Sequence, residues 1–351
     1  MSITRISLSD FRNHAEFDIE PQRQFIALHG PNGAGKTNIL EAVSLLVPGR
    51  GLRRAAYGDL ARNDGAGGFS VSAKCNIADV GTGADASTPD RRRVRINNAN
   101  ATINALAEYF AIVWLTPAMD RLFADSPGNR RRFLDRLVLS IAPQHARDTS
   151  RYENGLRQRN RLLCDPKAYD ISWIEAIEVG MAEAATAISQ NRAKMIDALN
   201  ARLCDAGSGP FIVPKLSLDQ ATIRDAQQIC DIWKQDRARD RSAGRTLSGP
   251  HRADLDVTEL KSGQSASLCS TGEQKALLLS TILAHADLVS EMRNAPPIIL
   301  LDEVAAHLDP HRRIALFERL EQTGSQIWMT GTEAELFNGI GDNAQMVAIG
   351  V

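Results

Sequence analysis

Gly30-Pro31-Asn32-Gly33-Ala34-Gly35-Lys36-Thr37 satisfies the pattern GxxxxGK[ST], and its flanks decide how it is read. Before it, Phe25-Ile26-Ala27-Leu28 is a short apolar run ending near a glycine, which predicts a buried strand. After it, Ile39 to Val47 carries apolar residues at helical spacing. Strand, glycine loop and helix in that order make a cradle for phosphate. Glycines let backbone N–H groups wrap the phosphate oxygens and the helix N-terminus adds positive potential. In such a cradle Lys36 reaches the β and γ phosphates, and the Thr37 hydroxyl is a ligand for Mg²⁺.

Ile298-Ile-Leu-Leu-Asp302-Glu303 supplies the acidic counterpart: four apolar residues bury a strand and two carboxylates emerge at its tip. Asp302 is expected to hold Mg²⁺ through water, and Glu303 to orient or deprotonate the attacking water. Ser270-Thr-Gly272-Glu273-Gln274-Lys275 opens an apolar helical stretch. Alone it reads as an ordinary capping box, a serine N-cap followed by glutamate. Its place shortly before Asp302 favours another reading, the ABC signature, in which Ser270 and the amide of Gly272 face the γ-phosphate of a nucleotide held by a second subunit. Ala305-Ala-His307-Leu308-Asp309 then falls where a D-loop would cross a dimer interface, although Asp309 with Pro310 also reads as a plain helix start.

The motifs divide the chain. Residues 1–119 and 246–351 are expected to form an α/β head, a split ABC-type P-loop ATPase with an antiparallel β subdomain around residues 58–104 and a loose, mobile loop at 79–92. Residues 120–245 are predicted to be an inserted helical lobe, with Ile171, Ile174, Ile177 and Met181 on one face and an interruption at Gly207 to Leu218 that could hold a strand. No apolar run reaches the length of a membrane span, and the alternating N-terminus lacks a secretory block, so a cytoplasmic protein without membrane partners is expected. Five scattered cysteines without CxxC spacing read as reduced thiols.

A formal charge of −1 gives no global attraction to nucleic acid, so any such affinity depends on segregated arginines. They cluster at Arg50, Arg53 and Arg54, at Arg91 to Arg95, and at Arg130, Arg131, Arg132 and Arg136, continued by Arg151, Arg157, Arg159 and Arg161. Basic patches bind phosphate backbones through counterion release. The competing reading is a solvated or ion-paired face, with Asp120, Asp125, Asp135, Asp148 and Glu153 as partners.

Further segments are more specific: Leu8-Ser-Asp-Phe11-Arg12-Asn13, Gly35-Lys-Thr-Asn38-Ile-Leu-Glu41, Ser126-Pro-Gly-Asn-Arg130-Arg-Arg-Phe133-Leu-Asp135, Ser248-Gly-Pro-His251-Arg252-Ala-Asp254-Leu and Thr330-Gly-Thr332-Glu333. Through them nearly the whole chain resembles the RecF family of bacterial recombination mediators, relatives of the SMC-type ABC ATPases. The resemblance implies ATP and Mg²⁺ as cofactors and ATP-dependent dimerisation. It also implies slow DNA-stimulated hydrolysis, binding to double-stranded DNA at single-strand gaps and ss/ds junctions, and cooperation with RecR and RecO in loading RecA. It adds Arg12, Asn13, Asn38, Asp309 and Thr332 to the nucleotide-binding residues, and Arg53, Arg54 and Arg130 to Arg132 as DNA contacts. Ala118 stands where the family leads one to expect an acid. A transporter motor is disfavoured, because no glutamine-led loop occupies Thr116 to Asp120 and no histidine follows Gln326 to Met329. An SMC-like structural head would need far longer heptads than the insertion holds.

Overall fold

The computed structural model describes residues 2–165, 170–205, 212–219, 225–305 and 308–350. It divides into two compact units, one built from Met1–Asp120 and Lys275–Val351 with a short piece ending at Ile212, the other from Arg121–Asp205 and Val213–Gln274.

Two sheets make up the first unit. Strands β1 (Ile3–Phe11), β2 (His14–Ile19), β4 (Phe69–Cys75), β5 (Ala78–Ala84), β6 (Arg93–Ile96) and β7 (Ala99–Ala101) form an antiparallel sheet in the order β2-β1-β4-β5-β6-β7. Their period-two burial, with Ile6, Leu8, Val71, Ala73 and Val80 turned to the core, is what one covered face demands. Strands β3 (Phe25–His29), β8 (Ile112–Leu115), β11 (Ile298–Leu301), β12 (Gln326–Gly331) and β13 (Ala344–Ala348) form an all-parallel sheet ordered β13-β3-β12-β11-β8. The central strands β11 and β12 are buried throughout, which explains the apolar runs Ile298–Leu301 and Ile327 to Met329. Helix α1 (Lys36–Ser44) follows β3 directly and ends short of the expected Val47, and a single turn, α2 (Leu106–Tyr109), leads into β8. The C-terminal turn of α1 is closed by Arg92, whose buried guanidinium donates to the carbonyls of Leu45 and Gly49 and to Thr82. Arg92 is therefore a structural cap rather than part of a basic surface. The loop expected at 79–92 is shorter than that span, because Val80, Thr82 and Ala84 alternate inward through the glycines of β5.

The second unit holds α3 (Pro127–Ile141), α4 (Gln144–Cys164), α5 (Ile171–Asp205) and α6 (Ala226–Ala243), the last three packing around Tyr152, Met181, Ile188 and Trp233. Ile174 and Met181 are buried on α5 as the periodicity predicts, but Ile171 at its start is exposed. The interruption does hold a strand: β9 (Pro214–Asp219) pairs antiparallel with β10 (Asp254–Glu259), while residues 207–211 lie outside the described residues. That pairing also corrects the expected boundary, since residues 246–274 pack with the lobe and the chain returns to the first unit at Lys275. Among the described residues no helix is long and apolar enough to cross a membrane.

A charge network crosses this unit. Arg159, fully buried, donates to Glu178 (2.9 Å), Asp240 (2.6 Å), Thr246 (2.7 Å) and the Trp233 carbonyl (3.0 Å). Arg237 completes the carboxylate of Glu178. A second network joins Asp135 to Arg192 (2.7 and 2.8 Å) and to the Nε2–H of His145 (2.9 Å), with Arg192 also donating to the Pro250 carbonyl. Burial pushes the Asp135 pKa up, but the charge of Arg192 and the hydrogen bonds from His145 and Arg192 outweigh it and bring the group from 3.8 to about 2.

Removing one member of a buried ion network leaves uncompensated charge, so Arg159→Ala is expected to destabilise the protein by about 3–5 kcal/mol in urea unfolding. Arg157→Ala, on the exposed side of α4, should stay within about 0.5 kcal/mol. Because the folded pKa of Asp135 is depressed, its stabilisation is complete above pH 3.8 and is lost as pH falls towards about 2. Asp135→Asn should flatten the stability profile in that acid window, read by thermal melting between those pH values.

Candidate functional site

Parallel register assembles the site. Leu301 of β11 pairs with Met329 of β12, and Leu28 of β3 with Thr330, so the carboxyl ends of three adjacent strands carry Gly30, Thr330 and Asp302 to one edge of the sheet. Open parallel sheets bind ligands at that edge. The Asp302 backbone N–H is fixed by the carbonyl of Leu115 on β8 (2.9 Å). Its carboxylate Oδ1 accepts from the hydroxyls of Thr37 (2.8 Å) and Thr330 (2.8 Å). The Thr330 oxygen accepts in turn from the Glu303 N–H (2.9 Å), holding Glu303 at a φ of 54° in the left-handed region. Such strain is found where a side chain is aimed for a purpose.

Lys36 is buried and its Nζ donates to the carbonyls of Gly30 (2.7 Å) and Pro31 (2.9 Å), so the ammonium spans the mouth of the loop. No acidic residue stands in the first turn of α1, leaving its positive end for an anion. The loop is buttressed by the β1–β2 turn. Asn13 donates to the Ala34 carbonyl (3.0 Å) and accepts from Asn38 (2.7 Å), and His14 Nε2 lies 3.1 Å from the Gly35 carbonyl. A Cβ on Gly35, at φ 104°, would sit 2.5 Å from both Asn13 and His14, so only glycine fits there. Arg12 grips the fully buried Glu41 of α1 with two hydrogen bonds (2.9 and 3.0 Å).

Other expected residues are placed differently. Thr332 is exposed and does not join Thr330 at Asp302; the register puts the buried partner two residues earlier. Ser270 and Glu273 form the capping box, with the Ser270 N–H and hydroxyl both 2.8 Å from Glu273 Oε2. They cap α7 (Thr271–Arg293), on which Gly272 has an ordinary helical backbone and open space where a Cβ would stand. Asp309 is exposed and caps α8 (Pro310–Gln322) by accepting from the Arg312 N–H (3.0 Å); Ala306 and His307 of the expected D-loop lie outside the described residues. Asp120, the acid of the expected Thr116 to Asp120 segment, lies 3.9 Å from the buried ammonium of Lys275.

Among the arginines, Arg130 is largely withdrawn from solvent by a bidentate pair with Asp254 (2.8 and 2.6 Å). Arg53 and Arg54 are both exposed, and Arg53 donates to Asn38 (2.6 Å) beside the P-loop helix. Arg131 donates to the Ala253 carbonyl (2.8 Å), and Arg132 to Asn129. His14 joins the site only through the structure, its place next to Asn13 being the one signal the sequence offers, whereas Glu41 is already part of the extended P-loop segment and the structure adds its partner Arg12.

A P-loop on a central parallel strand, an acidic tip on its second neighbour and an antiparallel sheet beside them define an ABC-type ATPase head of the SMC kind. The model of the RecF/RecN/SMC N-terminal domain matches residues 2–349. The protein called DNA replication and repair protein RecF from Mesorhizobium japonicum is 47% identical, covering 99% of this chain and 96% of its own length. The protein of that name from Rhizobium leguminosarum bv. trifolii is 44% identical, covering 99% and 97%. The chain belongs to the RecF family. In fold it matches the solved recombination mediator RecF bound to ATPrS, with a TM-score of 0.81 at 21% identity over 99% of this chain and 96% of that one. An SMC head bound to the winged-helix domain of ScpA matches less closely, at a TM-score of 0.57 and 16% identity.

Thr330→Val removes a donor to Asp302 and strands the Glu303 N–H, a loss of about 1–3 kcal/mol. Hydrolysis is expected to fall roughly tenfold or more while ATP affinity is nearly kept, and Thr332→Val should change neither. Steady-state turnover and nucleotide titration of both variants make the check; a loss with Thr332→Val and none with Thr330→Val would overturn the assignment to Thr330.

Proposed function

We propose that this chain binds ATP with Mg²⁺ at the P-loop, pairs with a second copy when nucleotide is bound, and in that form holds duplex DNA, hydrolysing ATP slowly and faster with DNA present. The observation that carries this reading is the meeting of Lys36, Thr37, Asp302 and Thr330 at one sheet edge. It is supported by membership of a family whose curated relatives are called DNA replication and repair proteins. Solved relatives are described as recombination mediators of the RecFOR pathway, with ATP. On that basis the chain acts at single-strand gaps and ss/ds junctions, with RecR and RecO as partners, in loading RecA in the cytoplasm.

In this reading the N–H groups of Gly33 to Lys36 and the Lys36 ammonium bind the phosphates. The Thr37 hydroxyl and the Asp302 carboxylate, whose oxygens stand 2.8 Å apart, fit Mg²⁺, which takes few protein ligands and completes its shell with water and phosphate. Bound there, Mg²⁺ neutralises charge on the phosphate oxygens. Glu303 orients the attacking water and receives its proton. Arg12, Asn13 and Asn38 hold the loop in shape, and Arg53 and Arg54 add to the DNA-facing charge.

Gly272 needs neither its flexibility nor its small size within its own chain, although glycine lowers helix propensity by about 1 kcal/mol. Its open face suits the close approach of a phosphate. Ser270 and Gly272 of one copy thus complete the site around the nucleotide held by Lys36 of the other, with Asp309 near that seam.

Sedimentation with ATP and Mg²⁺ tests the reading. The parent should become dimeric; Ser270→Arg should bind ATP yet stay monomeric; Glu303→Gln should dimerise without turnover; Lys36→Met should lose nucleotide. A parent that stays monomeric at saturating ATP sinks the two-copy mechanism.

A further inference from the structure

The first turn of α3 holds an electrostatic arrangement that the nucleotide site does not use. Pro127 and Gly128 open the helix, no acid stands in its first turn, and Arg130, Arg131 and Arg132 follow at its positive end, where cations are disfavoured. Arg130 is compensated by Asp254. Arg131 is not: its guanidinium is half-buried, donates to the Ala253 carbonyl and makes no ion pair among the described residues. Burial lowers its pKa, and the neighbouring charges of Arg192 and Arg252 lower it further. The carboxylates closest in effect, Asp254 and Asp135, are already engaged by Arg130 and Arg192.

Arg131, His251 and Arg252, with Pro127, Gly128 and Leu247, line one cavity of about 400 Å³. Arg252 is exposed and its guanidinium has no hydrogen bond or ion pair among the described residues. His251 serves as a wall. Its Nδ1 accepts from the Tyr152 hydroxyl (2.6 Å) and its Nε2–H donates to the Thr246 carbonyl (3.0 Å), which fixes one neutral tautomer. Two guanidinium groups therefore share a cavity without a carboxylate of their own, a repulsion that an anion relieves.

We infer that this cavity is a phosphate site, with Arg131 and Arg252 as its donors, and that it takes a phosphate of the duplex DNA backbone. The source of the phosphate rests on the DNA-binding reading above; the site itself does not. Arg130, clamped to Asp254, lies outside the residues that line this cavity and is not one of its donors.

Two measurements test it. The first is binding of inorganic phosphate, followed by ³¹P line broadening at constant ionic strength, in a Lys36→Met background that removes the P-loop's own affinity. Saturable binding is expected, lost on adding Arg252→Gln and kept on adding Arg239→Gln, which removes an equal charge from the exposed side of α6. Since the Arg252 side chain holds nothing in place, the variant should melt as its parent does. Phosphate binding that survives Arg252→Gln, or falls equally with Arg239→Gln, overturns the site. The second is duplex affinity against salt for the chain with Lys36 intact. Arg252→Gln should weaken binding to all sequences alike and lower the salt slope by about one. An unchanged slope overturns the DNA backbone as the source. A parent that binds no duplex at all overturns the DNA reading and this source with it, while the phosphate titration still decides the cavity.

Discussion

A single carboxylate oxygen, Oδ1 of Asp302, ties the nucleotide site together. It accepts from a hydroxyl on the P-loop helix and from another on β12, residues far apart in the chain. Both bonds exist because β12 lies between β3 and β11 and all three strands run parallel. A one-residue slip would turn Thr330 to the opposite face and leave a buried carboxylate short of donors. Sheet order is thus the constraint from which the site's geometry follows, and the helices and loops around it are held to that register.

Much of this is legible in the chain because it is local. A strand that is buried on both faces is mostly apolar, a phosphate loop must be glycine-rich, and an acidic pair at a strand tip can be seen without knowing its neighbours. Thr330 and Thr332 cannot be ranked that way, since both flank the same glycine and only the pairing of β12 with β3 says which one turns inward. The end of the lobe escapes a local reading for a similar reason. Residues 246–274 look like the return of an α/β pattern, but β10 finds its partner in β9. The strand at Ala78–Ala84 resembles a loop because two glycines sit on its outer positions and weaken its alternation.

Arginines are the least readable residues. A run of them looks the same in sequence whether it faces solvent or carboxylates, and here the outcomes diverge. Arg92 caps a helix, Arg159 sits in the middle of a buried network, Arg130 is clamped to Asp254, and Arg54 and Arg252 are exposed. Burial and partners, both non-local, separate scaffold from surface. The two family segments around Arg130 and Asp254 turn out to be halves of one contact, which gives a physical reason for reading them together.

The serine that caps α7 has one hydroxyl proton, and in this chain that proton is given to Glu273. An acceptor arriving from outside would have to draw it from the helix's own glutamate, which would then keep the backbone N–H of Ser270 as its partner. Ser270 is in this sense a toggle with two incompatible settings. For the phosphate proposed to dock there, the exchange would set a threshold on engagement, since the anion has to compete with the carboxylate for a single proton.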